Sequence, residues 1–455
     1  MRTLYWARND LRLGDNAALS DALTTSATEI CFIVSEAQWR SHDMGDRRLG
    51  WIHHALQAFA QQTAQLGVRL HVIEIPWFAD VPKGLLELAQ QLSVSKLVYN
   101  AEYPLNEQRR DDAVDAALGA AGIEVARFHS NVTLPPGSVM TPAGSPYRAF
   151  SAFRKRWRSV AAAIGFEPLP KPQPVGAAIP MPRVEALAEY AHTIDRQVWP
   201  AGETAAQQRV KDFVEQRLRE YAAKRDIPSV PGTSRLSPYL AIGAISANQC
   251  LASAQSLGSQ GEAWTNELIW REFYQHITAL YPHVSKGRPF KPEMDRMIWR
   301  DAPVELAAWR AGQTGYPLVD AAMRQLTETG WMHNRLRMVT AMFLTKHLLI
   351  DWREGERFFM QQLIDGDFAA NNGGWQWSAS TGTDSVPYFR IFNPTTQGQR
   401  FDPSGIFTRR MLPELAQVPD RHLYAPHEAG IELDYPAPIV DHKAARARAL
   451  AAFGN

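Results

Sequence analysis

The sequence predicts an α/β + α architecture, an N-terminal parallel α/β domain followed by a mostly α-helical one. Over residues 1–130 short, β-rich apolar runs alternate with amphipathic stretches, the pattern of a parallel sheet with crossover helices. Beyond Glu203 the apolar residues recur at three- and four-residue spacing with few β-branched runs between them. Between these regions Pro168, Pro170, Pro172, Pro174, Pro180 and Pro182 bracket apolar residues too sparse for a core. The expected domains are therefore 1–130 and 203–455, joined by a connector at 131–202.

In the first domain strands are expected at 3–6, 30–34, 70–75, 97–99 and 125–128, with helices at 46–66 and 107–121. The sheet is Rossmann-like in pattern, yet no GxGxxG follows its first strand, so any ligand there binds without the dinucleotide fingerprint. In the second domain helical spacing marks 205–223, 263–280, 317–329, 336–350 and 354–364.

Composition excludes several classes. The 455 residues are 45% hydrophobic, ordinary for a globular protein, and no apolar run reaches membrane-spanning length. The opening MRTLYWARNDLRLGD turns charged too early for a signal peptide. Only Cys31 and Cys250 occur, which leaves no disulfide framework and no metal-type cysteine spacing. A cytoplasmic protein in a reducing compartment is expected. The formal net charge of +1 divides into −4 for residues 1–130 (12 Lys/Arg, 16 Asp/Glu) and +5 for the rest, which permits a phosphate-facing surface on the C-terminal part.

Chemistry concentrates in a few segments. Residues 371–394, NNGGWQWSASTGTDSVPYFRIFNP, combine amides (Asn371, Asn372, Gln376, Asn393) with flat rings (Trp375, Trp377, Tyr388, Phe389) and almost no aliphatic periodicity. This reads as a surface for a flat heteroaromatic ligand rather than a regular element. In GTSRLSP, Ser237 reads as an N-cap and Pro238 as the first residue of a helix PYLAIGAIS, whose free N–H groups beside three hydroxyls and Arg235 suit a pyrophosphate. Glu267, Trp270, Arg271 and Tyr274 fall on one helix face. His333 and Arg337 are one turn apart, as are Asn334 and Met338. No HExxH or other two-histidine spacing marks a metal site, and Asp365-Gly-Asp367 reads as a hydrogen-bond acceptor.

The runs GYPLVDAAMRQL, TGWMHNRLRM, DWREGER, QLIDGDFAANNGGWQW and RIFNPTTQGQ, with the opening WARNDLRLGDNAAL, resemble the photolyase/cryptochrome flavoprotein family, and most closely its class I cyclobutane pyrimidine dimer photolyases. The likeness is dense from Gly232 to Phe401, thinner in the sheet domain and poor in the connector. It implies FAD held by Tyr221, the turn Thr233, Ser234, Arg235, Leu236 and Ser237, Arg271, Asn334, and Asp365, Gly366 and Asp367, with Arg337 pairing Asp365. Asn371 matches the residue facing the flavin's central-ring nitrogen, where an amide tolerates the anionic reduced ring. Light-excited reduced FAD would pass an electron to a flipped pyrimidine dimer and regain it after the ring opens.

The resemblance further implies that Glu267 hydrogen-bonds the base edges, that Asn334 and Met338 line the pocket, and that Trp270 and Trp377 contact the flipped bases. Arg271 and Tyr274 belong to the same DNA-facing helix, and Arg225, Arg335, Arg390 and Gln397 address phosphates or the pocket rim. Trp375, Trp352 and Trp299 match the family's electron-relay chain. His42, Asn106, Glu107 and Lys286 match an antenna site for 5,10-methenyltetrahydrofolate. The partner implied is UV-damaged DNA, with no membrane, no obligate protein partner and a monomeric state. Two alternatives stand beside this reading. A cryptochrome-type sensor is disfavoured because the sequence given ends at Asn455 without a long extension, and a six-four photolyase because Met338 stands where that enzyme's pocket carries a histidine.

Overall fold

The structure, a computed structural model, describes residues 2–25 and 27–454. By packing the chain divides into two compact units, Met1–Arg219 with Ser234–Ser285 and Ile364–Ala369, and Glu220–Thr233 with Lys286–Leu363 and Ala370–Asn455. These do not coincide with breaks at 130 and 202. Among the described residues no helix is long and apolar enough to cross a membrane.

The first unit is built on a five-stranded sheet of order β3-β2-β1-β4-β5, with β1 Arg2–Ala7, β2 Ala27–Val34, β3 Arg69–Glu74, β4 Lys96–Asn100 and β5 Glu124–Phe128. All four pairings are parallel, with Tyr5 opposite both Ile30 and Val98. Leu4, Tyr5 and Trp6 are all buried because both faces of a parallel sheet are covered, which is why these strands read as continuous runs. Helix α1, Asp46–Leu66, ends at Gly67, whose φ of 82° is the left-handed turn that a glycine supplies without strain. Helix α2, Leu105–Ala120, leads into β5.

The strand order reverses between β1 and β4, where open α/β sheets form a crevice at their carboxyl ends. Here that crevice is filled by charge. Arg8 pairs with Asp111 at 2.7 Å, and its guanidinium lies 4.6 Å from the ring centroids of both Trp6 and Tyr99. Arg110 pairs with Glu102 at 2.7 Å and with Asp111 at 2.8 Å.

The connector differs from its expected character. It contains helix α3, Phe150–Ile164, which buries Phe150, Phe153, Trp157 and Ala161, while Val184, Leu187 and Trp199 are also buried. The apolar residues are few but aromatic, so three rings at i, i+3 and i+7 suffice to dock a helix. The buried Glu272 anchors the entry to this segment, accepting from the amides of Thr133 and Leu134 at 2.7 and 2.9 Å and from the Trp157 indole at 2.5 Å.

Three boundaries also shift. The helix expected over 205–223 runs Glu203–Gln216, ending where Arg217 adopts φ −134°. Ser237 is not a cap. The cap is Leu236, without a side-chain bond, and helix α4 is only Ser237–Ala241. Beyond it Gly243 (φ 67°) brings its Cα against the Asn9–Asp10 backbone, where a side chain would overlap main-chain atoms. Helix α5, Glu262–Leu280, forms as expected.

In the second unit α6, Pro317–Thr329, has the expected bounds and closes on Gly330 at φ 68°. Helix α7, Asn334–Met342, then widens into a π turn, Phe343–His347, instead of continuing to 350. Helices α8, Trp352–Gln362, α9, Phe368–Ala379, and, later in the chain, α10, His442–Gly454, follow. Helix α9 corrects the reading of 371–394 as irregular, since residues 371–379 are helical. Its periodicity was masked because buried polar residues pair along the helix: Gln376 Nε2 donates to Asn372 Oδ1 at 2.9 Å, and Asn372 Nδ2 to Glu356 Oε1 at 2.8 Å. The unit's core contains Trp309, Trp352, Trp375, Phe359 and Leu336.

Candidate active site

On α5, 3.6-residue periodicity places Glu267, Trp270, Arg271 and Tyr274 on one half-buried strip, as expected, with Phe273, Gln275 and His276 buried behind it. Trp270 is tilted 31° from the Tyr274 ring at 5.6 Å and stacked on Phe150 of α3 at 3.6 Å, with 9° between the planes. Arg271 Nη1 donates to the Asn131 carbonyl at 2.7 Å. Gln275, absent from the sequence reading, donates from Nε2 to both carboxylate oxygens of Asp367, at 3.3 and 3.2 Å. Its signal was available, since it lies four residues beyond Arg271 in the same polar-aromatic run.

The Asp365–Asp367 turn follows Ile364, whose carbonyl accepts from the buried Arg48 at 3.2 Å. Burial lowers the Arg48 pKa to about 10, opposed first by Asp367 and then by Asp365. Arg235 holds φ 54°, a left-handed conformation uncommon for a side-chain-bearing residue, so the Ser234–Ser237 turn is shaped against local preference. The guanidinium of Arg235 lies 5.4 Å from the centroid of Trp199. This donor set of hydroxyls, guanidinium groups and helix-start amides beside carboxylate acceptors fits a ligand carrying both a pyrophosphate and hydroxylated sugar or ring edges.

The second unit carries the other expected positions. Tyr221 is buried beneath Arg225, whose guanidinium lies 5.4 Å from the ring centroid. Thr233 is half-buried. His333 precedes α7 as its N-cap instead of lying within it: its Nδ1 accepts from the Arg335 amide at 3.2 Å. Burial lowers the His333 pKa to about 4, so the ring is a neutral acceptor at neutral pH. Asn334 is exposed and Met338 half-buried. Arg335 pairs with Asp226 at 2.8 Å and lies over Phe401, 4.4 Å from the centroid. Arg337 Nε donates to the Met332 carbonyl at 2.9 Å. On α9 the Asn371 amide is oriented by its Nδ2 bond to the Glu356 carbonyl at 3.0 Å. Trp377 is half-buried, Gln397 half-buried and Arg390 exposed.

Trp375 and Trp352 belong to one buried core, with Trp299 packed against it. Trp375 meets Phe359 edge-on at 4.9 Å and Trp309 at 6.0 Å. Trp309 is a core residue of the same cluster, and its short helix carries no sequence signal that would set it apart from ordinary core.

In the first unit His42 and Asn106 do come together. His42 Nε2 accepts from the amides of Asn106 at 3.1 Å and Gln38 at 2.8 Å, and burial lowers its pKa, which keeps that nitrogen an acceptor. Glu107, in the first turn of α2, has its pKa raised to about 7 by burial, then by Glu102, against the opposing pull of Arg110. Amides, a neutral imidazole and a carboxyl that is protonated up to about neutrality fit the donor-acceptor edge of a heteroaromatic ring. Lys286 belongs to the second unit.

A family model described as the FAD binding domain of DNA photolyase matches residues 264–455, and one described as DNA photolyase matches 3–174. The chain is 46% identical to the deoxyribodipyrimidine photo-lyase of Escherichia coli, across 99% of this chain and 98% of that protein. It is 43% identical to the protein of that name from Vibrio cholerae, across 97% of each. Among solved structures it superposes with a TM-score of 0.90 on a class III photolyase from Agrobacterium tumefaciens, at 34% identity over 100% of this chain and 97% of the other. A cryptochrome from Synechocystis superposes at 0.88, with 28% identity over 99% of each.

Proposed function

The chain belongs to the DNA photolyase family, and on that premise we propose that it is a deoxyribodipyrimidine photo-lyase, a carbon-carbon lyase that repairs cyclobutane pyrimidine dimers in DNA under light. The observation that carries this is near-complete coverage by relatives of that name at 43–46% identity, together with the half-buried Glu267, Trp270 and Tyr274 strip. FAD, when bound and reduced, supplies on excitation the electron that opens the cyclobutane ring and receives it back.

The chain's own residues bind, orient and shield. Ser234, Arg235, Ser237, Arg271 and Asp365–Asp367, with Tyr221, Thr233, Leu236, Asn334 and Arg337, hold the cofactor, and Asn371 offers an amide to its ring. The Glu356 carbonyl fixes that amide, and an uncharged amide at this position does not repel an anionic ring as a carboxylate would. Glu267 hydrogen-bonds the base edges while Trp270, Trp377 and Met338 form flat apolar walls, so an extruded lesion exchanges weakened stacking for new stacking. Arg225, Arg335, Arg390 and Gln397 address the flanking strand. Trp375, Trp352 and Trp299 relay electrons to oxidised cofactor. His42, Asn106, Glu107 and Lys286 hold a methenyltetrahydrofolate antenna, giving residues 1–130 the light-harvesting role and 203–455 catalysis. The protein works as a cytoplasmic monomer without an obligate protein partner.

Cyclobutane dimers are favoured over six-four photoproducts because opening a cyclobutane ring needs no acid–base pair, whereas six-four repair needs a proton donor near neutrality. His333, neutral and committed to its cap bond, is not such a donor. The test is repair of oligonucleotides carrying each lesion, in light and in darkness. Light-dependent loss of the cyclobutane dimer alone is expected. Repair of the six-four lesion alone would overturn the assignment, and binding of neither lesion would favour a sensor.

A further inference from the structure

Trp270 does not stand alone on its strip. One of its faces is covered by Phe150, with centroids 3.6 Å apart and 9° between planes, a near-parallel stack at van der Waals contact. Phe150 is itself buried, and meets Phe273 at 5.9 Å and 65°. Phe273 in turn meets Phe153 at 5.1 Å. The two stacked rings come from helices separated by about a hundred residues in sequence, Phe150 opening α3 and Trp270 in the middle of α5.

An indole on a helix surface has two side-chain torsions. Helix geometry restricts the first, while the second is broad and set by whatever the ring leans on. Phe150 supplies that surface: a flat ring of fixed plane holds Trp270 flat, Tyr274 at 5.6 Å and Phe273 at 5.8 Å border it, and only indole surface turned from these rings remains for another ring. An aliphatic residue of similar volume fills the same space but imposes no plane.

We propose that Phe150 is a positioning residue for lesion recognition, fixing the plane of Trp270 so that the indole's remaining surface is pre-set to receive an extruded pyrimidine dimer. This rests on the reading of Trp270 as a wall of the lesion pocket. Holding the ring in its bound orientation before the lesion arrives removes an ordering cost from binding. Phe150 touches neither lesion nor cofactor in this role, so its effect passes entirely through Trp270.

A double-mutant cycle on the FAD-loaded protein tests it, reading dark equilibrium binding to a dimer-containing and an undamaged oligonucleotide at one salt concentration. Phe150→Leu keeps a bulky apolar side chain, somewhat smaller, and loses the plane. It is expected to bind damaged DNA about three- to tenfold more weakly, the worth of an aromatic pair, with undamaged binding and flavin absorbance retained and the melting temperature lowered only as far as a smaller buried side chain requires. Phe150→Tyr, which keeps the flat face, should match the wild type. Trp270→Ala should lose lesion affinity, and adding Phe150→Leu to it should cost nothing more. Wild-type affinity in Phe150→Leu, or full additivity in the double variant, overturns the positioning role. Undiminished lesion binding in Trp270→Ala overturns instead the reading of Trp270 on which it rests. If the leucine variant does not fold, Phe150→Met makes the same comparison.

Discussion

Trp375 packs directly onto the backbone of α8 at Gly355, where an added Cβ would overlap the indole carbons Cη2, Cζ3 and Cζ2. A glycine inside a helix costs about 1 kcal/mol relative to alanine, so its presence there is explained by the ring it admits.

Gly355→Ala should therefore destabilise despite its better helix propensity, because overpacking costs about 1–3 kcal/mol. It should also displace Trp375 and slow photoreduction of oxidised FAD. Thermal melting and flavin bleaching under blue light check both, and an unchanged bleaching rate would separate Trp375 from the relay.

Trp299 packs on the edge of the same core and meets Phe453 at 5.9 Å. Trp299→Phe is expected to block photoreduction while leaving repair by chemically reduced enzyme intact, since the relay restores the cofactor without joining the repair cycle. Equal loss of both would make the residue structural.

The raised pKa of Glu107, about 7 in the folded chain, makes stability pH-dependent. Between the unfolded value near 4.5 and about 7 the folded state holds the extra proton, so stability falls as pH rises through this window and stays reduced above it. Glu107→Gln removes the penalty. Its melting temperature should exceed wild type at pH 8, by an amount corresponding to roughly 3 kcal/mol, and converge with it below pH 4.5. A constant difference across pH would place the proton elsewhere. Glu107→Ala should also abolish the near-UV band gained on reconstitution with folate while FAD is retained.

Arg335 is held by Asp226 at 2.8 Å, so a DNA phosphate must compete with a carboxylate for it. Arg335→Ala should lower the salt slope of DNA binding by about one unit, and Asp226→Asn should strengthen binding at low salt. A slope identical to wild type would remove Arg335 from the phosphate contacts.

Where a signal was local, the sequence alone determined the outcome. The five strands of the sheet, α1 from Asp46 to Leu66 and α6 from Pro317 to Thr329 follow from periodicity, with a glycine at the stop of each helix and a proline at the first turn of α6. The strip Glu267, Trp270, Arg271, Tyr274 follows from helix spacing, and the family from its motifs. Tertiary structure decided what depended on distant partners. Helix α9 forms from residues with no amphipathic pattern because Glu356 and Asn372 satisfy its buried amides. Helix α3 docks through three rings that composition counted as sparse. His333 became a neutral cap, and Trp270 acquired its plane from Phe150. Periodicity records only what a residue's own helix or strand requires of it, while buried hydrogen bonds and ring stacks are set by residues that the chain's folding brings from elsewhere.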